Sequence, residues 1–181
     1  SITVSGYFLT ELGCGRGDLG DHADLADTIA YFSAEAVSPG ASAARCDAGN
    51  SFTRRSISAG RGWVAGHVLT ALDDPPAACA DPLDTPLACE IAAVKPGLAL
   101  IMLGTNDLHS GVELPLYEAN LDRIVTDLVA AGVVPVLSNI PHRTDRAWAA
   151  ARVGDYNHVV RTVAARHRVP LLNYWRALQD P

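Results

Sequence analysis

An open α/β fold, built on a parallel sheet with helices packed on both faces, is what this sequence predicts. Three observations carry the prediction. The 181 residues, 49% of them hydrophobic, suit one domain with a sizeable core. The segments Leu-Ala-Leu-Ile-Met-Leu (98–103) and Val-Val-Pro-Val-Leu (133–137) are short, unbroken apolar runs, as strands buried on both faces are. Long segments with apolar residues at helical spacing alternate with them, which is the signature of parallel strands joined by crossover helices.

In chain order, residues 5–12 form a short helix candidate. Residues 21–37 form a second, with Leu25, Ile29 and Phe32 on one face. Residues 38–50, rich in Gly, Ala and Ser, read as a loop. Residues 51–58 alternate and predict a strand. Residues 63–72 read as helical, and residues 73–86 as a loop. The run 98–103 is bounded by Pro96-Gly97 and Gly104, so it predicts a buried strand. Residues 115–131 place Leu121, Ile124, Val125 and Leu128 at helical spacing, and Gly132 supplies the stop. Strand 133–137, helix 148–167 and strand 169–172 complete the pattern.

Composition excludes several classes of function. Apolar content is too high, and charge too modest, for a disordered chain. No apolar stretch reaches the ~18–20 residues that cross a membrane. The net charge of −6 opposes a dedicated nucleic-acid-binding face. Four cysteines, Cys14, Cys46, Cys79 and Cys89, form no C-x-x-C motif. Cys79 and Cys89 flank a Pro-rich stretch and read as a local staple, which leaves Cys14 and Cys46 to pair. The alternative is four buried thiols. Paired cysteines point to an oxidising, extracytoplasmic setting.

In an open α/β sheet, ligands sit beyond the carboxyl ends of the strands. The most informative end is Gly104-Thr105-Asn106-Asp107, where an apolar strand runs into two polar side chains. The Asn amide donates hydrogen bonds without titrating, a property suited to a developing oxyanion. An Asx-type turn explains the same residues without chemistry.

Gly104-Thr105-Asn106-Asp107 resembles the G-x-N-D block of the SGNH (GDSL-type) hydrolase family. Gly62, in Ser-Ala-Gly-Arg-Gly-Trp, is similar to that family's second-block glycine, with Gly60 a weaker match. The opening Ser-Ile-Thr-Val-Ser-Gly-Tyr-Phe-Leu resembles the first block, G-D-S, entered at its serine, so Ser1 matches the nucleophile. The resemblance covers nearly the whole chain. It implies a flavodoxin-like three-layer α/β/α sandwich, and a serine esterase, lipase or carbohydrate deacetylase acting through an acyl-enzyme. It further implies a small-molecule ester substrate, no cofactor and no metal, and it leaves the oligomeric state open. Ser1 is then the nucleophile, and Gly62 and Asn106 are oxyanion donors. The family's D-x-x-H block, which carries the base and its orienting carboxylate, has no match near residue 181. Neither has the first strand, which would precede Ser1 and lie between strands 51–58 and 98–103. The expectation is a single domain clipped at both ends.

Trp63 follows the glycine loop as a pocket wall or a core anchor. Asp107 is expected to brace the loop, and with Trp63 is a candidate substrate contact. His109 and His142, near the same edge, are substrate contacts or substitutes for the missing base, with Asp145 the carboxylate nearest His142 in sequence. Arg54-Arg55 reads as a solvated basic pair on a strand edge, and Trp148 and Trp175 as packing residues. Three rival readings remain. One is a hydrolase using Ser1 with its own amine as base, which the strand–helix alternation opposes. The others are a non-catalytic small-molecule or carbohydrate-binding module on the same scaffold, and a flavodoxin-like nucleotide binder.

Overall fold

The computed structural model describes residues 10–34, 50–54, 56–77, 79, 81 and 84–179. Three parallel strands, β1 (Leu98–Ile101), β2 (Val134–Ser138) and β3 (Leu171–Leu172), pair in the order β1-β2-β3. Two long helices make the crossovers, α5 (Leu114–Ala130) and α6 (Ala147–His167). They are preceded by α1 (Thr10–Gly13), α2 (Ala26–Ala34), α3 (Pro86–Val94) and α4 (Thr105–Ser110), and followed by α7 (Tyr174–Ala177). The parallel α/β architecture is the one the apolar pattern predicts.

Each crossover follows from its sequence. Leu121, Ile124, Val125 and Leu128 bury one stripe of α5, and Val153, Tyr156, Val160 and Val163 bury the facing stripe of α6. Both helices pack against β2 and each other. Ile101 and Leu137 point into that same core. The register pairs Leu98 with Val134, and Ser138 with Leu172, so these residues share the other face of the sheet with Leu100. There Leu98, Leu100, Val134 and Leu172 are exposed.

Four local departures have physical causes. The strand expected at 51–58 is not formed among the described residues. Asn50 Oδ1 accepts from the backbone N–H groups of Phe52 and Thr53, and Thr53 Oγ1 accepts from Asn50 N–H. Such side-chain bonds offer the backbone a turn in place of a ladder. The helix expected at 63–72 shortens to a 3₁₀ segment, Ala65–Leu69. Helix α3 lies where no element was expected, although Thr85 caps it from a side chain and Pro86 opens it. Segment 21–37 contributes a 3₁₀ turn, Ala23–Leu25, and then α2.

Cys79 and Cys89 are bonded, with Cα atoms 4.9 Å apart. The staple joins a loop to the first half of α3. The expected Cys14–Cys46 pairing involves Cys46, which lies outside the described residues. No helix among the described residues is long and apolar enough to cross a membrane.

Candidate active site

Strand β1 ends at Ile101, and Gly104 turns the chain into α4 with φ +123°. A side chain at Gly104 would meet the Tyr117 hydroxyl oxygen at 2.4 Å and Ile140 Cγ2 at 3.0 Å. Tyr117 is fully buried and donates to Leu103 O at 2.8 Å, so α5 holds the strand end from beneath. Burial pushes the Tyr117 hydroxyl well above its usual pKa, and it therefore acts as a fixed donor. Thr105-Asn106-Asp107 consequently opens a helix, where a bare loop was expected. Asn106 and Asp107 project from its first turn.

Opposite stands the glycine turn. Trp63 N–H donates to Gly60 O at 3.2 Å, and Gly62 takes φ +80° at the third position, as a type II turn requires. The Trp63 side chain lies over Gly60, where an added Cβ would meet its indole at 2.2 Å. Trp63 also packs against the core and sits 5.9 Å from the His67 ring, so it anchors the turn as well as flanking it.

Two hydrogen bonds clamp the turn to α4. Asn106 Nδ2 donates to Trp63 O at 2.9 Å, and Ala65 N–H donates to Asp107 Oδ1 at 2.9 Å. Because a carbonyl only accepts, the first bond fixes which end of the Asn106 amide faces the turn. An amide nitrogen carries two N–H bonds, so Asn106 has a second donor besides the one that Trp63 O accepts. Asp107 is fully buried, and its Oδ2 has no hydrogen-bond partner among the described residues. Burial raises its pKa, opposed first by the Ala65 N–H.

The remaining predicted residues are placed as follows. Ser1 lies outside the described residues. His109 is exposed at the end of α4, its ring 6.2 Å from that of Trp148. His142 is exposed on the loop after β2. Asp145 is not free to orient it. Arg143 Nε donates to Asp145 Oδ1 at 2.8 Å and Nη2 to Oδ2 at 2.5 Å, and this pairing holds the carboxyl at a pKa of about 2. Trp148 and Trp175, expected to be packing residues, are exposed instead. Among the described residues, no group of three His, Cys, Asp or Glu side chains is placed to hold a metal ion.

Sequence reasoning missed Glu90 and misplaced Arg54. The Arg54 guanidinium is largely buried, 17% exposed, and pairs with Glu90 Oε1. Glu90 Oε2 accepts from Ile57 N–H at 2.6 Å, and Ser58 Oγ donates to Pro86 O at 2.8 Å. Helix α3 thereby grips the segment that leads into the glycine turn. The Thr85-Pro86 cap was the signal available in the sequence.

No curated protein matches this chain. Among solved structures, it is similar to a GDSL-like lipase from Bacteroides thetaiotaomicron, with 17% identity and a TM-score of 0.46. The match covers 50% of this chain and 49% of that one, so the chain spans about half the length of the relative it matches. Residues 48–181 match the GDSL-like Lipase/Acylhydrolase family, a span that takes in the glycine turn, the clamp and all three strands. On that match, the chain belongs to the GDSL-like lipase/acylhydrolase family.

Proposed function

We propose that the protein is a serine-dependent hydrolase of carboxylic esters. Ser1 is the nucleophile, and the Gly62 N–H and the Asn106 amide are donors to the oxyanion. The observation that supports this reading is the Asn106–Trp63 clamp, in which a non-titrating amide holds the residue that follows a positive-φ glycine, at the carboxyl edge of a parallel sheet. Family membership supports ester hydrolysis in general. The serine, and the assignment of donors, rest on the match of Ser1, Gly62 and Asn106 to the family's blocks.

In this scheme Ser1 Oγ attacks the ester carbonyl, and a base takes its proton as the new C–O bond forms. The carbonyl oxygen gains negative charge and is held by the two N–H donors. Collapse expels the alcohol and leaves an acyl-serine, which water then hydrolyses. Asp107 stays out of this chemistry and holds Ala65, and with it the turn. Trp63, His109 and His142 stand around the same edge as candidate contacts for the alcohol or acyl group. The chemistry needs no cofactor. The Cys79–Cys89 disulfide supports a working place outside the cytoplasm.

The test is covalent. The full-length protein incubated with a fluorophosphonate should gain one phosphonyl group, located on Ser1 by peptide mass mapping, and lose its hydrolysis of p-nitrophenyl esters. Labelling of another residue, or full activity in Ser1→Ala, would refute the assignment.

A further inference from the structure

We propose that Glu90 is a positioning residue for the oxyanion site, and that it fixes the upstream end of the glycine turn. The proposal rests on the reading of Gly62 as a donor.

Among the described residues, Gly62 has no side-chain or through-space contact of its own that sets its position. The residue is exposed, and among the described residues no atom other than those of its chain neighbours lies within 4 Å of where its Cβ would be. Its place in space therefore depends on what holds the chain on either side. Downstream, Asn106 holds Trp63 O and Asp107 holds Ala65 N–H. Upstream, the first fixed points are Ser58, through Pro86 O, and Ile57, through Glu90 Oε2. The turn is a short span slung between α4 and α3.

Glu90 is built for this task. It is 7% exposed, and both carboxylate oxygens are used. Arg54 occupies Oε1, which supplies the counter-charge that a buried carboxylate needs and directs Oε2 at the Ile57 amide. Arg54 is itself seated by the Asn50 turn, where its N–H donates to Asn50 O at 2.9 Å. On the other side, the neighbouring Cys89 is bonded to Cys79, which ties α3 at the same level. A solvated surface pair has neither this burial nor a backbone amide as its second partner. Glu90 touches no substrate in this scheme and acts only through the turn.

The experiment compares Glu90→Ala, Glu90→Gln and Asn106→Ala in the full-length protein, with p-nitrophenyl acetate as the probe. Releasing the turn lets the Gly62 donor drift, and a misplacement of about 1 Å costs on the order of 100-fold in rate. Glu90→Ala should therefore lower kcat by about 10- to 100-fold with KM within about twofold, because the loss falls on the transition state. Glu90→Gln keeps one acceptor oxygen, which serves Ile57 N–H only with the amide NH2 turned toward Arg54, so kcat should fall between that of Glu90→Ala and wild type with KM unchanged, a graded kcat-only loss that a purely bulk-stability role would not produce. If Glu90→Ala does not fold, the double variant Arg54→Met/Glu90→Met removes the tether without leaving a lone buried charge, and the same kcat-only loss is expected. A folded variant lacking the tether with wild-type kcat overturns the proposal. If Asn106→Ala still loses kcat in that case, the oxyanion reading stands and the positioning role alone fails. Wild-type kcat in Asn106→Ala overturns both.

Discussion

Gly62 and Gly104 show how single backbone angles set this edge of the molecule. Among the described residues no atom would meet a methyl group at Gly62, so there a substitution acts through φ +80°. Gly62→Ala should cost about 1–2 kcal/mol in holding the turn, with kcat falling more than stability. Steady-state kinetics alongside thermal melting checks this. Asp107 gives a pH prediction. Burial raises its folded pKa above the unfolded value of 3.8, so the native state binds the proton more tightly than the unfolded chain does. Its destabilising effect is absent below the unfolded value and appears as pH rises through the folded one. Asp107→Asn retains an acceptor for Ala65 N–H and removes the buried charge. Melting temperatures should show the variant gaining on wild type from pH 4 to pH 7. A gap that narrows over that range would contradict the assignment of burial as the dominant cause. This behaviour was invisible in Gly-Thr-Asn-Asp, since a motif does not record which carboxylate oxygen is desolvated.

At the scale of elements, β1, α5, β2 and α6 were legible because their burial is periodic and local. The 51–58 segment was not, because its alternation competes with the side-chain bonds of Asn50 and Thr53. The clamp between the 3₁₀ segment and α4 was likewise hidden, as Trp63 O and Asn106 are far apart in sequence and one partner is backbone. The seat of α4 on α5 is testable by a double-mutant cycle. Gly104→Ala meets both a forbidden φ and the Tyr117 hydroxyl, and should destabilise by about 2–4 kcal/mol. Tyr117→Phe alone loses the bond to Leu103 O, at about 1 kcal/mol. Combined, the two should cost less than their sum, because the clash with the hydroxyl is gone. Strict additivity in urea unfolding would contradict this packing. The Cys79–Cys89 staple should contribute about 2–3 kcal/mol, read as the loss of stability in the Cys79→Ala/Cys89→Ala variant.

Across the whole molecule, one sheet face is filled by α5 and α6, and the other shows Leu98, Leu100, Val134 and Leu172. The proposed chemistry lies at the carboxyl edge, where the glycine turn, α4 and the loop after β2 meet. The family resemblance points to this edge through Gly62 and Asn106. The bonds of Glu90, Arg54 and Tyr117 around it join residues far apart in sequence and leave no motif to read. The most direct measurement of the central claim is a crystal structure of the fluorophosphonate-treated full-length protein. The account predicts phosphorus bonded to Ser1 Oγ, with the phosphoryl oxygen about 2.7–3.1 Å from both the Gly62 N–H nitrogen and Asn106 Nδ2. A phosphoryl oxygen turned away from Asn106, or an adduct on any other side chain, would contradict it.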